Sequence, residues 1–335
     1  MAKKTGRATL IYENDVCISS FAAVVGKKEG QGPLGNEFDM IFENELLGEK
    51  SFEKAESRLQ ELSLENAIKK GGINKEEIEF LFAGDLLNQC IGSAYASRGL
   101  ATPFIGLYGA CSTMALSLCL ASFFVENGVA KRAAAVTSSH FCSAERQFRF
   151  PLEYGGQRTP TAQWTVTGSG CAIVSAEKSS PKILSITFGR TMDLGVKDIN
   201  NMGAAMAPAA ADTIKTFLND THTNPKDYDL ILTGDLGMFG SNLLYEILEK
   251  DDIYITDRHK DCGLMIFDMK NQDVHAGGSG CGCSASVLCS KILNEVKSGK
   301  LKNILFCATG ALMSPTSILQ GESIPSIAHL LNIAN

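Results

Sequence analysis

Cys111 stands in Gly-Leu-Tyr-Gly-Ala-Cys-Ser-Thr, a glycine-rich turn that feeds an apolar run through Phe124. A turn of that kind places the sulfur near a helix N-terminus. There the macrodipole and unpaired N–H groups favour a thiolate or hold an anion. Cys111 therefore reads as a nucleophile, as the floor of an anion pocket, or as a small side chain packed in a tight turn. Arg146, Arg149 and Arg158 form the one dense arginine group, inside a polar, aromatic stretch from His140 to Trp164. Guanidinium groups grip carboxylates bidentately, although the same residues also make ordinary surface ion pairs. His140, after a Thr-Ser-Ser strand end, reads as a ligand or as a satisfied buried histidine. Asp85 and Asp235 close matching Gly-Asp-Leu segments. Their shared position favours capping of the next helix over ligand contact. Cys281 and Cys283, with His275 nearby, lack the spacing and the second pair of a zinc knuckle, so no metal site is expected. Trp164, Phe148 and Phe150 read as core or interface anchors.

The elements that carry these residues repeat. Phe80–Leu86 and Leu230–Leu236 are apolar strands ending in Gly-Asp-Leu, and Gly109–Ser139 overlays Gly280–Gly310 without a gap. Each copy of the longer segment runs Gly-turn, apolar helix, Gly stop with a lysine after it, apolar strand. Glycine is a natural helix terminator. Two strand–helix–strand copies predict an α/β chain of mostly parallel sheets covered by helices, with halves 1–178 and 179–335. Thr9–Val16, Thr167–Glu177 and Lys182–Gly189 read as further strands, and Ser51–Lys70 and Ala204–Asn219 as helices. The His140–Trp164 stretch is a long loop, a usual place for function.

With 335 residues and 44% hydrophobic content the chain can bury a large core. A net charge of −6 without a basic cluster argues against nucleic acid as a partner. No run reaches the roughly 18 apolar residues of a membrane span. The basic start lacks the apolar segment of a secretory signal. Eleven cysteines, scattered over apolar segments, fit buried thiols in a reducing compartment, and the chain is expected to be made in the cytoplasm.

A duplicated α/β unit with Gly-Ala-Cys-Ser at a helix start resembles the thiolase and ketoacyl-synthase superfamily over essentially the whole chain. That resemblance implies a five-layer αβαβα fold and a homodimer. Ala-Cys111-Ser-Thr, Thr-Ser-Ser-His140-Phe, Ala-Glu-Arg146-Gln-Phe-Arg149-Phe-Pro-Leu-Glu-Tyr and Thr-Pro-Thr-Ala-Gln163-Trp-Thr-Val-Thr-Gly are similar to the stage V sporulation protein AD family. The family resemblance implies binding of dipicolinic acid (pyridine-2,6-dicarboxylate), with or without chelated calcium, for uptake into developing spores. It also implies membrane-embedded SpoVA proteins as partners, and a peripheral place at the spore inner membrane.

A condensing enzyme of this superfamily needs an acylated cysteine, plus a histidine and an asparagine or second histidine to polarise the thioester. The repeat puts Asp235 where the first partner is due and Gly282, between Cys281 and Cys283, where the second is due. The machinery reads as dismantled, and the protein is expected not to be an enzyme. Cys111 acting as an acyl-transfer nucleophile, a triad of Cys111, His275 and Cys307, and a scaffold with a vestigial pocket are the rival readings. The expected dipicolinate site is floored by Cys111, with His140, Arg146, Arg149, Arg158 and His275 as its other ligands. Asp235 or Glu145 would face calcium if it enters. No cofactor is expected.

Overall fold

The computed structural model describes residues 1–148 and 155–335. Ten strands carry the fold: β1 (Cys17–Gly26), β2 (Phe80–Gly84), β3 (Phe104–Gly106), β4 (Arg132–Ser139), β5 (Gly168–Ser175), β6 (Lys182–Phe188), β7 (Leu230–Thr233), β8 (His259–Asp261), β9 (Asn303–Ala311) and β10 (Ser326–Ala334). The first five lie in the order β3-β2-β4-β5-β1 and the last five in the order β8-β7-β9-β10-β6. The duplication seen in the sequence is thus a duplication of topology. Within each half two strand pairs are parallel and two antiparallel. The sheets are therefore mixed rather than mostly parallel. β5 and β10 return antiparallel beside β4 and β9, with helical segments Phe141–Phe148 and Pro315–Leu319 in the connections. An antiparallel bridge, Lys182 to Cys17, joins β6 to β1 edge to edge.

The main helices are α1 (Phe52–Gly71), α2 (Thr113–Glu126), α3 (Phe141–Phe148), α4 (Met202–Thr221), α5 (Gly237–Glu249) and α6 (Cys281–Val287). α1 begins where Ser51 accepts from the Lys54 N–H and stops at Gly72, which takes the left-handed conformation (φ 62°). That conformation suits glycine and explains the stop. α1 covers the first sheet and α4 the second, with α5 packed against α4. α2 and α6 lie between the sheets, which completes five αβαβα layers. Helices in a central layer have no solvent face, and every residue of α6 is buried. The helix following α6 passes through a π-helical turn, Leu288–Ile292.

Two boundaries differ from the sequence reading. The strand expected over Thr9–Val16 is only Thr9–Ile11, and it pairs with β6 of the second half. The first half's own strand is Cys17–Gly26. Asp220 draws the N-terminal segment across, because its carboxylate accepts from the N–H groups of Arg7, Ala8 and Thr9. Among the described residues no helix is long and apolar enough to cross a membrane.

Candidate functional site

α2 starts at Thr113 with Ser112 as its N-cap, so Cys111 sits just outside the helix mouth. Ala110 before it is held at φ 48°, a strained conformation for a residue with a Cβ. Gly310 on β9 makes room for this turn. A Cβ there would stand 2.1 Å from the Gly109 carbonyl oxygen and 3.2 Å from the Cys111 nitrogen. Cys111 is 9% exposed and floors a cleft with about 590 Å³ of free space, counted to its open mouth. Met202, Met206, Met313 and Ile199 line it from one packing cluster, and Leu86 and Ala144 from another. Tyr108 and Phe148 supply aromatic faces, Thr165 and Ser279 supply hydroxyls, and Glu145 reaches the rim from α3.

Behind the cysteine lies Asp235, fully buried, with its carboxyl close enough to interact electrostatically with the Cys111 thiol. Its Oδ2 accepts from Ser279 Oγ (3.1 Å) and the Gly280 N–H (2.8 Å), and its Oδ1 from Thr309 Oγ1 (3.2 Å). Ser279 Oγ is 4.0 Å from Cys111 Sγ. Burial pushes the Asp235 carboxyl up to about 7. Burial, and next the charge of Asp235, push the Cys111 thiol well above its ordinary range. The helix mouth does not yield a thiolate, because desolvation and a neighbouring carboxylate outweigh the helix dipole.

The expectation that Asp85 and Asp235 play one fold role holds for Asp85 alone. Asp85 accepts from the N–H groups of Leu87 and Ser93 and from Ser93 Oγ. In the second half that task passes to Asp261 on β8, whose carboxylate accepts from the N–H groups of Leu236 and Gly237 at the start of α5. Asp235 is thereby free to face the cysteine. The gapless overlay also misplaces the residue opposite Cys111. α6 begins at Cys281, so Gly282 lies within its first turn and donates to Ser139 Oγ. Ser279 takes the place beside the sulfur. Phe148 packs against the core as expected and also lines the cleft.

The other expected ligands do not reach the cleft. His140 is fully buried; its Nε2 bonds the Glu45 carbonyl (2.7 Å), its Nδ1 accepts from the Cys142 N–H, and burial holds its pKa low. It is a satisfied core histidine. Arg146 pairs with Glu53 on the far side of α3. Arg158 binds the Asp273 carboxylate (3.1 Å) and packs over Trp164, 4.7 Å from the ring centroid. His275 joins the same carboxylate through Nε2 (2.9 Å) and the Thr159 carbonyl through Nδ1 (2.6 Å). Arg149 and Phe150 lie outside the described residues. Arg158 and His275 thus meet each other, at Asp273, and not Cys111. Trp164 is stacked on Phe141 (3.8 Å, 7° between planes), with Lys28 Nζ 3.4 Å from its centroid. Cys307 is buried in β9, and burial pushes its thiol up to about 12. Neither Cys307 nor His275 lines the cleft, so a Cys111–His275–Cys307 triad is not assembled. No cluster of three metal-ligating side chains occurs among the described residues.

Comparison with known proteins bears on both fold and family. Solved structures with the same fold include 3-oxoacyl-[acyl-carrier-protein] synthase III from Aquifex aeolicus VF5 (TM-score 0.55, 13% identity, all of both chains). Another is a point variant of OleA from Xanthomonas campestris (TM-score 0.60, 12% identity, 97% of this chain and all of that one). At such identities the likeness is one of fold. The profile of the stage V sporulation protein AD family matches residues 6–334. The stage V sporulation protein AD of Bacillus subtilis (strain 168) is 47% identical over 327 residues, covering 98% of this chain and 96% of that protein. A thiolase-like chain matched from end to end in this way belongs to the stage V sporulation protein AD family, and its role is in sporulation.

Proposed function

We propose that the Cys111 cleft binds dipicolinate, free or as its calcium chelate, and that the protein serves dipicolinate uptake into the spore without catalysing a reaction. The observation that carries this reading is the buried Cys111–Asp235 pair at the cleft floor, where burial holds the thiol protonated. A thiol held protonated is a poor nucleophile but a tolerable neighbour for an anion. Tyr108 and Phe148 offer flat faces to a pyridine ring, and Thr165, Ser279 and Tyr108 offer hydroxyl donors to carboxylates. The described lining holds no cation; Glu145 stands at the rim, and of the two carboxyls near the cleft Asp235 is the one that burial pushes up to about 7. Below pH 7 Asp235 is neutral; above it the carboxylate repels a dianion. Affinity for free dipicolinate should fall as pH rises through 7, while the charge-neutral calcium chelate should respond less. An equilibrium titration at pH 6 and pH 8, with and without calcium, tests this. Saturable one-to-one binding that Met202→Trp abolishes and Arg158→Ala leaves intact supports the cleft. No binding at millimolar ligand at either pH would sink the reading.

A second reading has its own support. Ser279, which donates to Asp235, stands 4.0 Å from the thiol and could relay its proton, and the methionine lining suits an acyl chain. Intact-mass analysis after incubation with an acyl thioester decides it, since an adduct on Cys111 would mark acyl transfer and its absence would count against it. In the dipicolinate reading the partners are the membrane-embedded SpoVA proteins and a second copy of this chain. The place of action is then the surface of the spore inner membrane. Co-purification with those proteins from sporulating cells tests that placement, and recovery of the chain free of them would count against it.

A further inference from the structure

Two loops bring Asp235 and Ser279 to Cys111, and one buried side chain ties those loops together. Gln163 is 3% exposed, and its Nε2 donates to the carbonyl oxygens of both Asp235 and Gly278, each at 2.8 Å. A primary amide carries two N–H donors, so both are spent on this bridge. The strand around Gln163 continues the seam. Trp164 and Thr165 pair in parallel with Gly278 and Ser279, and the Ala276 N–H donates to the Ala162 carbonyl. Gly237 is shaped to admit the amide, for a Cβ there would lie 2.9 Å from Gln163 Nε2 and 2.5 Å from the Ala276 carbonyl oxygen. Gln163 Oε1 is buried with no hydrogen-bond partner among the described residues. A buried unpaired acceptor is costly, and an apolar side chain would avoid that cost. The two donated bonds are what the position supplies in return.

We propose that Gln163 is the positioning residue of the cleft: by bridging the Asp235 and Gly278 carbonyls it fixes the Asp235 carboxyl and the Ser279 hydroxyl against the Cys111 thiol. The inference rests on reading the cleft as the functional site, but its test does not use dipicolinate. The titratable groups facing the thiol are Asp235, Tyr108, Cys281 and Cys283. Only Asp235 is held by Gln163.

Gln163→Met keeps length and bulk while removing both donors. The readout is the pH profile of Cys111 alkylation by iodoacetamide, followed by peptide mass on the folded full-length chain. With Asp235 released, the midpoint should move down by about one pH unit, a roughly tenfold faster reaction below the midpoint. Gln60→Met is the structural control. Gln60 is equally buried, and its amide nitrogen lies 2.8–3.1 Å from the Gly84 carbonyl and the Ser93 and Ser138 hydroxyls, within the first half. It should lower thermal stability and leave the Cys111 profile where it was. If Gln163→Met does not fold, Gln163→Asn, one methylene short of spanning both carbonyls, carries the same test. An unchanged or upward-shifted midpoint in the folded variant overturns the proposal. Dipicolinate titration of the same variant is scored separately, so loss of the binding reading and loss of this one are told apart.

Discussion

Cys111 and Asp235 share one dry recess, and ionising either raises the cost of ionising the other. Asp235 has the lower pKa, so it loses its proton first on raising the pH, and the thiol then faces a negative charge. Asp235→Asn preserves size and the ability to accept from Ser279 or Gly280, yet removes that charge. Alkylation of Cys111 at pH 8 should quicken about tenfold in this variant, measured by peptide mass against the unmodified chain. No acceleration would mean that burial alone suppresses the thiolate. The cysteine was legible in the sequence because a Gly-Ala-Cys-Ser turn before an apolar run has few other meanings. The arginines were not. Residues 144, 145 and 148 of α3 reach the cleft, and at about 100° per residue Arg146 points the opposite way, toward Glu53. Clustering along the chain does not become clustering in space when a helix intervenes.

At the scale of elements, the repeat predicted the two layers of strands and the central helices, and it also concealed the site. Two aspartates at equivalent positions invite one explanation. The second half escapes it because β8 brings in Asp261 to hold the start of α5. Nothing in the Gly-Asp-Leu motif announces that substitution, which depends on a strand some 25 residues further along. Asp261 also accepts from Thr233 Oγ1 (2.7 Å), itself bonded to His259, whose pKa burial lowers to about 4. Asp261→Ala should therefore strand two buried N–H groups and cost about 3 kcal/mol, read as a lowered midpoint in urea unfolding. A loss below about 1 kcal/mol would show that water or backbone movement replaces the cap. The misplacement of Gly282 opposite Cys111 has a different origin. A gapless overlay assumes that both central helices start in register, whereas the second begins a turn early.

For the whole molecule, β3 is the open end of the first sheet, paired among the described residues with β2 alone. Beside it lie Ile91, Tyr95 and Tyr108, large side chains 39–43% exposed. An unpaired edge next to apolar surface invites another strand. We propose that two copies join through β3 about a twofold axis. Sedimentation should give twice the chain mass of 35.9 kDa, and Ile105→Lys should return it to the single value. A wild-type chain that sediments as a monomer at micromolar concentration would refute this. Because Tyr108 belongs both to that surface and to the cleft wall, such pairing would bear directly on what the cleft admits. The seam through Gln163 has one more property. The next residue, Trp164, is the chain's single tryptophan, lying against Phe141 on the strand that joins the two loops of the site, with Lys28 and Arg158 over its ring. Indole emission depends on nearby charge, so the colour and brightness of the unlabelled protein are an optical gauge of that junction.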